Sequence, residues 1–260
     1  MIRLAEKKDL PDILDYAKQN YNENLYIISD IENFMYDKDV FSIWYDKVDD
    51  MINFILLKYR DNAIIFNENQ DIDVQKVTEL LKKNNIKRIN GLNNSIKFLF
   101  PNLLHEYKIQ KCKYCVLKNT GKKTNEEDKI ESLNERNIEK VSIAMSKVPE
   151  LDMTKEDSFY YLKNKLEKKL PTKLLELNGN IVSFAATSTV SSLSAMIVGV
   201  FSIPNMRKKG YSTKVLTALI TEIFSRNLDC CLVYENDIAG KLYEKLGFNI
   251  IDEWIILTKQ

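Results

Sequence analysis

The chain switches repeatedly between the two hydrophobic periods of regular structure. Leu10, Ile13, Leu14 and Ala17 recur on one helical face, and a second helical stretch covers about residues 25–36. Residues 2–4, 41–45, 52–59 and 63–66 read as strands, with a turn at residues 46–50 between the second and third. Residues 74–84 form an amphipathic helical pattern, and residues 88–91 a buried strand. A short helix over residues 94–100 is expected to end before Pro101, and residues 107–117 close this part as a strand.

A stretch with opposed charge blocks and no apolar residue, KNTGKKTNEEDK, then interrupts the pattern and reads as a linker. The chain is thereby expected to divide into residues 1–118, a linker at 119–129, and residues 130–260. The second part repeats the element order of the first. A strand-like start at 130–133 precedes helical spacing at 138–145. A helix over 155–169 carries Phe159, Leu162 and Leu166 on one face and stops before Pro171. Strands at 173–177 and 181–187 flank the hairpin signal Asn178-Gly179-Asn180. A strand at 195–203, a helix at 212–226, a strand at 228–234, a helix at 238–246 and a strand at 249–258 follow. Both parts read as α+β, a mixed sheet flanked by helices. No residue-level repeat is visible, so a duplication rests on element order alone.

With 45% hydrophobic residues in 260, the chain can bury a sizeable core. Thirty-eight basic residues against thirty-seven acidic ones give no electrostatic case for nucleic acid or membrane as partner. The opening residues run into a charged stretch unlike a secretory leader, and no apolar run reaches membrane-spanning length, so the expected location is cytoplasmic. Cys112 and Cys115 have CxxC spacing, but they fall in a strand and the single histidine is His105, so no metal site is expected. Cys230 and Cys231 read as core.

The segment with chemical content is VFSIPNMRKKGYS, residues 200–212. An apolar strand ends near Pro204, a cationic turn with one glycine follows, and a helix begins. The first turn of a helix has unpaired N–H groups that attract anions. Gly210 lets backbone approach a phosphate with no Cβ in the way, and Arg207, Lys208 and Lys209 add positive charge. Taken alone, this is equally an ordinary basic helix entry.

The segment resembles the acetyl-CoA signature of the Gcn5-related N-acetyltransferase (GNAT) family, an Arg/Gln-x-x-Gly-x-Gly/Ala turn after the central strand. Arg207 and Gly210 match, and Ser212 replaces the last small residue with another. Residues 236–248, NDIAGKLYEKLGF, resemble the family's N-x-x-A-x-x-L-Y-x-x-x-G-F signature. The resemblance covers roughly residues 130–259 and implies a GNAT-like acyl-CoA N-acyltransferase unit there. Such a unit places acetyl-CoA where two parallel central strands splay apart. The resemblance implies that the pantetheine arm meets the backbone of Val200, Phe201 and Ser202. The turn through Arg207, Lys208, Lys209, Gly210, Tyr211, Ser212 and Thr213 would hold the pyrophosphate. Tyr243 matches the family's proton donor to the leaving thiolate, with a core aromatic as the alternative reading. Asn236 matches a contact to the cofactor arm and equally suits a helix N-cap. Gly247 reads as a helix terminator and Phe248 as a core plug.

The base that would deprotonate the acceptor is not marked. The strand over 195–203 carries no carboxylate, and Cys231 stands where some relatives have glutamate. Glu235 and Glu176 are the candidates, with Glu150 and Asp152 as loop alternatives and water-mediated deprotonation as another route. In the first part, the corresponding turn, NENQDID at residues 67–73, has no glycine or cation and three carboxylates. That turn suits a degenerate GNAT-like copy that binds no cofactor, or an unrelated α+β domain. The expected function is transfer of an acetyl group from acetyl-CoA to a primary amine, a small molecule or a peptide, by a monomer or homodimer. The alternative is a catalytically silent acyl-CoA-binding or regulatory module.

Overall fold

The computed structural model describes residues 1–33, 41–68, 72–121 and 130–260. The end of the helix expected over 25–36, most of the expected linker at 119–129 and the middle of the acidic turn at 67–73 lie outside the described residues.

In chain order the elements begin with β1 (Arg3–Leu4), α1 (Leu10–Gln19), α2 (Leu25–Asn33), β2 (Phe41–Val48), β3 (Met51–Tyr59) and β4 (Asn62–Asn67). They continue with α3 (Val74–Lys83), β5 (Arg88–Leu92), α4 (Asn93–Ile96), α5 (Phe100–Leu103) and β6 (Tyr107–Leu117). Then come β7 (Ile130–Glu131), α6 (Ile138–Met145), α7 (Lys155–Glu167), β8 (Thr172–Leu177), β9 (Asn180–Val190) and β10 (Ser194–Ser202). The chain closes with α8 (Tyr211–Ser225), β11 (Asp229–Tyr234), α9 (Asp237–Lys245) and β12 (Asn249–Lys259). Of the boundaries that differ from expectation, one turns on a proline. The helix expected to stop before Pro101 instead gives way to a 3-10 turn at Lys97–Leu99, and Pro101 sits in the first turn of α5. A proline there forfeits no intrahelical bond, because the first N–H groups of a helix have no partner anyway.

The described residues form two compact units. The first comprises Met1–Cys115, Val233–Gly240 and Asn249–Gln260; the second comprises Val116–Leu232 and Lys241–Phe248.

In the first unit the strand order is β1-β2-β3-β4-β5-β12-β6. β4 and β5 are parallel, paired from Asn62↔Arg88 to Ile64↔Asn90 across the α3 crossover. The C-terminal β12 runs antiparallel to β5, from Trp254↔Leu92 to Thr258↔Arg88. β3 reads as a continuous apolar run because both its faces are buried. Phe54 and Leu56 join a cluster with Val77, Leu81 and Ile255, while Ile55 and Leu57 join another with Ile13, Ala17 and Ile28.

In the second unit the order is β11-β10-β9-β8-β7. β8 and β9 form a hairpin whose two loop residues, Asn178 and Gly179, both have positive φ, as the twist of a two-residue turn requires. Helix α7 opens with a reciprocal capping box between Thr154 and Asp157. Leu162 of α7 is fully buried in a cluster with Val141, Met145, Leu174, Phe184 and Phe201. Helix α8 contributes the buried Val215, Leu216, Leu219 and Ile223. Cys112, Cys115, Cys230 and Cys231 are buried free thiols. Three positions apart on β6, Cys112 and Cys115 point to opposite faces. Among the described residues no group of His, Cys, Asp and Glu is arranged to hold a metal ion, and no helix is long and apolar enough to cross a membrane.

One exception in this apolar packing is Lys165 of α7, which is buried. Its Nζ donates to the Thr187 carbonyl at 2.7 Å and lies 4.2 Å from the centre of the Tyr161 ring. Burial, with a smaller push from Lys168, lowers its pKa to about 8. The unfolded chain therefore holds this proton to higher pH than the folded one, so stability rises with pH between about 8 and the ordinary lysine value. Denaturant unfolding near pH 7.5 and pH 10 is expected to show the native chain gaining up to ~3 kcal/mol relative to Lys165→Met over that interval. A constant difference between the two proteins would remove the assignment.

Candidate functional site

Strand β10 is paired with the parallel β11 only from Ser194↔Asp229 to Ile197↔Leu232, yet it runs on to Ser202. On its other side, the antiparallel register with β9 slips between Val198↔Ala186 and Phe201↔Phe184, so β10 carries one extra residue there. Gly199 lies within this bulge with φ +62°, a conformation that glycine adopts without a Cβ penalty. The bulge bends β10 where its ladder with β11 has ended. Backbone groups at residues 198–200 are thus left available on that edge. The phenol oxygen of Tyr161 lies 3.5 Å from where a Cβ on Gly199 would stand.

Beyond β10 the chain makes a single 3-10 turn at Pro204–Met206 and reaches α8 through two residues with positive φ, Lys208 at +63° and Gly210 at +80°. Gly210 is the N-cap of α8 and provides no side-chain cap, and the first intrahelical bond is Lys214 N–H to Gly210 O at 3.1 Å. The N–H groups of Tyr211, Ser212 and Thr213 are therefore the unpaired donors of the first turn. They open at an exposed turn, at the positive end of the helix dipole, with Lys208 and Lys209 exposed beside them. A Cβ on Gly210 would meet nothing within 4 Å.

Side chains fix the shape of this turn. Ser202 Oγ and Ser212 Oγ are 2.8 Å apart, and Ser202 Oγ donates to Ser183 Oγ at 3.2 Å. The hydroxyl chain thus ties the end of β10 to the first turn of α8. Arg207 reaches back: its Nε donates to Ser202 O at 3.3 Å, and its two terminal nitrogens grip Glu150 at 2.8 Å each. The fork holds the Glu150 carboxyl below its ordinary pKa, first through hydrogen bonding from Arg207. Arg207, though exposed, thus carries a compensated charge in this structure, and the cations of the turn that form no ion pair among the described residues are Lys208 and Lys209. Lys209 Nζ lies 3.4 Å from Met206 Sδ.

The remaining expected residues fall as follows. Val200 is half-buried on the free edge of β10, Phe201 is buried against Phe184, and Ser202 is buried in the hydroxyl chain. Tyr243 on α9 is 8% exposed, with its ring edge-on to Phe248 at 6.0 Å. Gly247 at φ +92° terminates α9, with Phe248 N–H bonding to Tyr243 O and Gly247 N–H to Glu244 O. That pair of bonds is a Schellman motif, which anchors Tyr243 in the last turn. Asn236 caps α9, its Oδ1 accepting from Ile238 N–H at 2.8 Å. Glu235 accepts from Gln110 Nε2 at 3.0 Å, and Glu176 is ion-paired with Lys140 at 2.8 Å. Glu176 lies on β8, whereas the turn lies between β10 and α8. Gly199 and the Glu150–Arg207 fork were not anticipated from sequence. An isolated glycine inside an apolar strand is the usual sign of a bulge. No local signal marks a pair 57 positions apart.

Comparison with known proteins gives the family and the fold. The family model for GNAT acetyltransferase matches residues 83–257, and the chain belongs to that family. A ribosomal protein bS18-alanine N-acetyltransferase of Haemophilus ducreyi is 34% identical over 93 residues, 35% of this chain. The chain spans 63% of the length of that relative. A GCN5-related N-acetyltransferase from Sphaerobacter thermophilus superposes with TM-score 0.68 at 12% identity, covering 100% of this chain and 95% of that one. A tandem GNAT protein from the clavulanic acid biosynthesis pathway gives TM-score 0.60 at 9% identity, covering 99% and 98%. The GNAT fold thus extends across the chain as two tandem units, in a family of acyltransferases.

The positive φ at Gly210 makes one test of the turn independent of any ligand. Gly210→Ala is expected to cost about 1 kcal/mol in denaturant unfolding, all of it backbone strain because the space is open. No loss of stability would mean the turn relaxes out of this conformation.

Proposed function

We propose that the chain transfers an acetyl group from acetyl-CoA to the primary amine of an acceptor by direct attack. The observation that carries this reading is the uncapped start of α8 at the end of a strand that has left its parallel neighbour, in a chain of the GNAT family. The N–H groups of Tyr211, Ser212 and Thr213, flanked by Lys208 and Lys209, suit the pyrophosphate. Arg207 acts through Glu150 and Ser202 by holding the turn in register. The edge of β10 at Val200, Phe201 and Ser202 meets the pantetheine amides through its backbone, because the side chains of Phe201 and Ser202 are buried.

In the reaction the amine lone pair attacks the thioester carbonyl carbon. The carbon–sulfur bond then breaks, and the thiolate takes a proton from the Tyr243 phenol, which regains one from the nitrogen of the new amide. The acceptor ammonium first gives up its proton to a base or to water. Glu235 and Glu176 are the protein candidates, each holding a hydrogen-bonding partner that it would have to share. The acceptor is a small amine or a peptide N-terminus. The Haemophilus ducreyi relative, named for an alanine N-terminus, makes a peptide beginning with alanine a rational member of the test panel.

A second reading, a catalytically silent acyl-CoA-binding module, is favoured by one observation. β10 bears no carboxylate, and both glutamate candidates are already engaged. Release of free thiol from acetyl-CoA on adding a panel of amines separates the two, since the silent module binds CoA and releases none.

The first unit is proposed to bind no cofactor. Its corresponding helix, α3, is capped by Asp73, whose carboxylate already accepts from Lys76 N–H at 3.1 Å. An anionic cap occupies the place a phosphate would need.

Calorimetric titration should accordingly find one CoA per chain, and a value of two would overturn the silent role of the first unit. Gly210→Asp adds an anion where the pyrophosphate would sit, and is expected to weaken acetyl-CoA binding at least tenfold, ~1.4 kcal/mol or more, while leaving the circular dichroism spectrum unchanged. Unaltered affinity would take the turn out of the site. Tyr243→Phe should lower kcat by roughly 10²-fold with KM for acetyl-CoA little changed. An unchanged kcat would leave Tyr243 as a core aromatic only.

A further inference from the structure

An acyl donor with its pyrophosphate at the start of α8 and its amides along Ser202, Phe201 and Val200 brings its thioester to Gly199 and Val198. Beyond them the edge of β10 closes, because Ile197 is paired with Leu232 of β11. The acyl group must therefore leave the plane of the sheet. On one face α8 packs against β8, β9 and β10 and is joined to Ser202 and Ser183 through Ser212. The other face, which carries Phe184 and Phe201, is covered by α6 and α7.

The bulge decides what the acyl group meets there. In a regular strand Val198 and Gly199 would point to opposite faces. Here Val198 packs with the α7 cluster, and a Cβ on Gly199 would point the same way, 3.5 Å from the Tyr161 phenol oxygen and 4.0 Å from Phe184. Val198, Gly199 and Val200 are half-buried, whereas residues 194–197 of the same strand are all buried. The opening therefore lies at the bulge, with Tyr161 standing over it. A single carbon bonded to Gly199 Cα would already touch the phenol oxygen, so no methylene chain passes between the two.

A wall discriminates only if it cannot swing aside. Lys165 lies one turn further along α7, 4% exposed, with Nζ 4.2 Å from the centre of the Tyr161 ring. The same Nζ donates to the Thr187 carbonyl at 2.7 Å. With no carboxylate paired to it among the described residues, its charge rests on that carbonyl and on the ring face. Thr187 stands opposite Ile197, the residue at which the opening begins. The anchor of the ring and the mouth of the opening thus share one point of the sheet.

We infer that Tyr161 sets the length of the transferred acyl group, its phenol stopping the chain at two carbons, and that Lys165 is the positioning residue that holds the phenol over the bulge. This assignment rests on the acyl-transfer reading for the path of the donor. Its test is binding, which a silent module would also show.

Isothermal titration of the full chain should find acetyl-CoA bound at least about tenfold more tightly than butyryl-CoA. Tyr161→Phe removes only the oxygen at the bulge, and should narrow the gap between acetyl-CoA and propionyl-CoA severalfold. Tyr161→Ala should bring butyryl-CoA to within about threefold of acetyl-CoA. Lys165→Met should lower the acetyl-to-butyryl ratio severalfold. Loosened folding would weaken every acyl-CoA alike, so the ratio separates positioning from a structural role. Equal wild-type affinity for acetyl-CoA and butyryl-CoA overturns the inference and leaves acyl transfer standing. A ratio that neither Tyr161 variant moves does the same, and a ratio unmoved by Lys165→Met removes Lys165 from its role. A ratio that shifts as expected, with no thiol released on any amine, overturns acyl transfer and keeps Tyr161 as the wall of a binding site. Failure to bind any acyl-CoA overturns both.

Discussion

A strand that parts from its neighbour leaves backbone groups that must find other partners, and β10 is built around that constraint. Its ladder with β11 ends at Ile197↔Leu232, and the bulge at Gly199 bends the strand just past that point. The opened edge runs directly to a helix whose first N–H groups are also unpaired. Two sets of unsatisfied donors therefore follow one another along a single stretch of chain, one on a strand edge and one at a helix start. A ligand with amides along its length and phosphates at one end can satisfy both, which is why the GNAT scaffold suits an acyl-CoA.

The two units show the same passage from strand through turn to helix, resolved in opposite ways. In each, a parallel pair is joined by a crossover helix, α3 between β4 and β5 and α8 between β10 and β11. In the second unit the helix starts at Gly210 in the left-handed region, with no side chain over its first turn. In the first it starts at Asp73, whose carboxylate fills the same role from within the chain. One N-cap leaves a place for an external anion and the other supplies its own. A single residue type at a single position thus separates an open helix start from a closed one.

Charged residues of the second unit are governed by partners distant in sequence. Arg207 looks like a ligand for phosphate when only its neighbours are considered, but the fork with Glu150 turns it toward the scaffold. Glu176 looks like a free carboxylate on a strand, yet Lys140 holds it. Lys165 reads as one more solvated lysine on a helix, and the fold buries it over Tyr161 beneath the Thr187 carbonyl. In each case the deciding contact spans 22 to 57 positions.

Much of the architecture was legible because it depends on local rules. Apolar spacing located the strands and most helices, Asn178-Gly179 marked its hairpin, and two short patterns marked the turn at 207–212 and the α9 segment at 236–248. Pro101 was misread because a proline that stops one helix can also start the next, and only neighbouring packing distinguishes the two. Where the last strand would pair was beyond the sequence, since β12 follows α9 in the chain but lies against β5. The bulge at Gly199, the fork at Arg207 and the burial of Lys165 also belong to tertiary structure. The sequence by itself determined which segments can be strand, helix or anion-binding turn, because those follow from side-chain period and backbone freedom within a few residues. Tertiary structure decided which charges are free and which are already matched, because an ion pair or a buried amine depends on groups that only folding brings within hydrogen-bond reach.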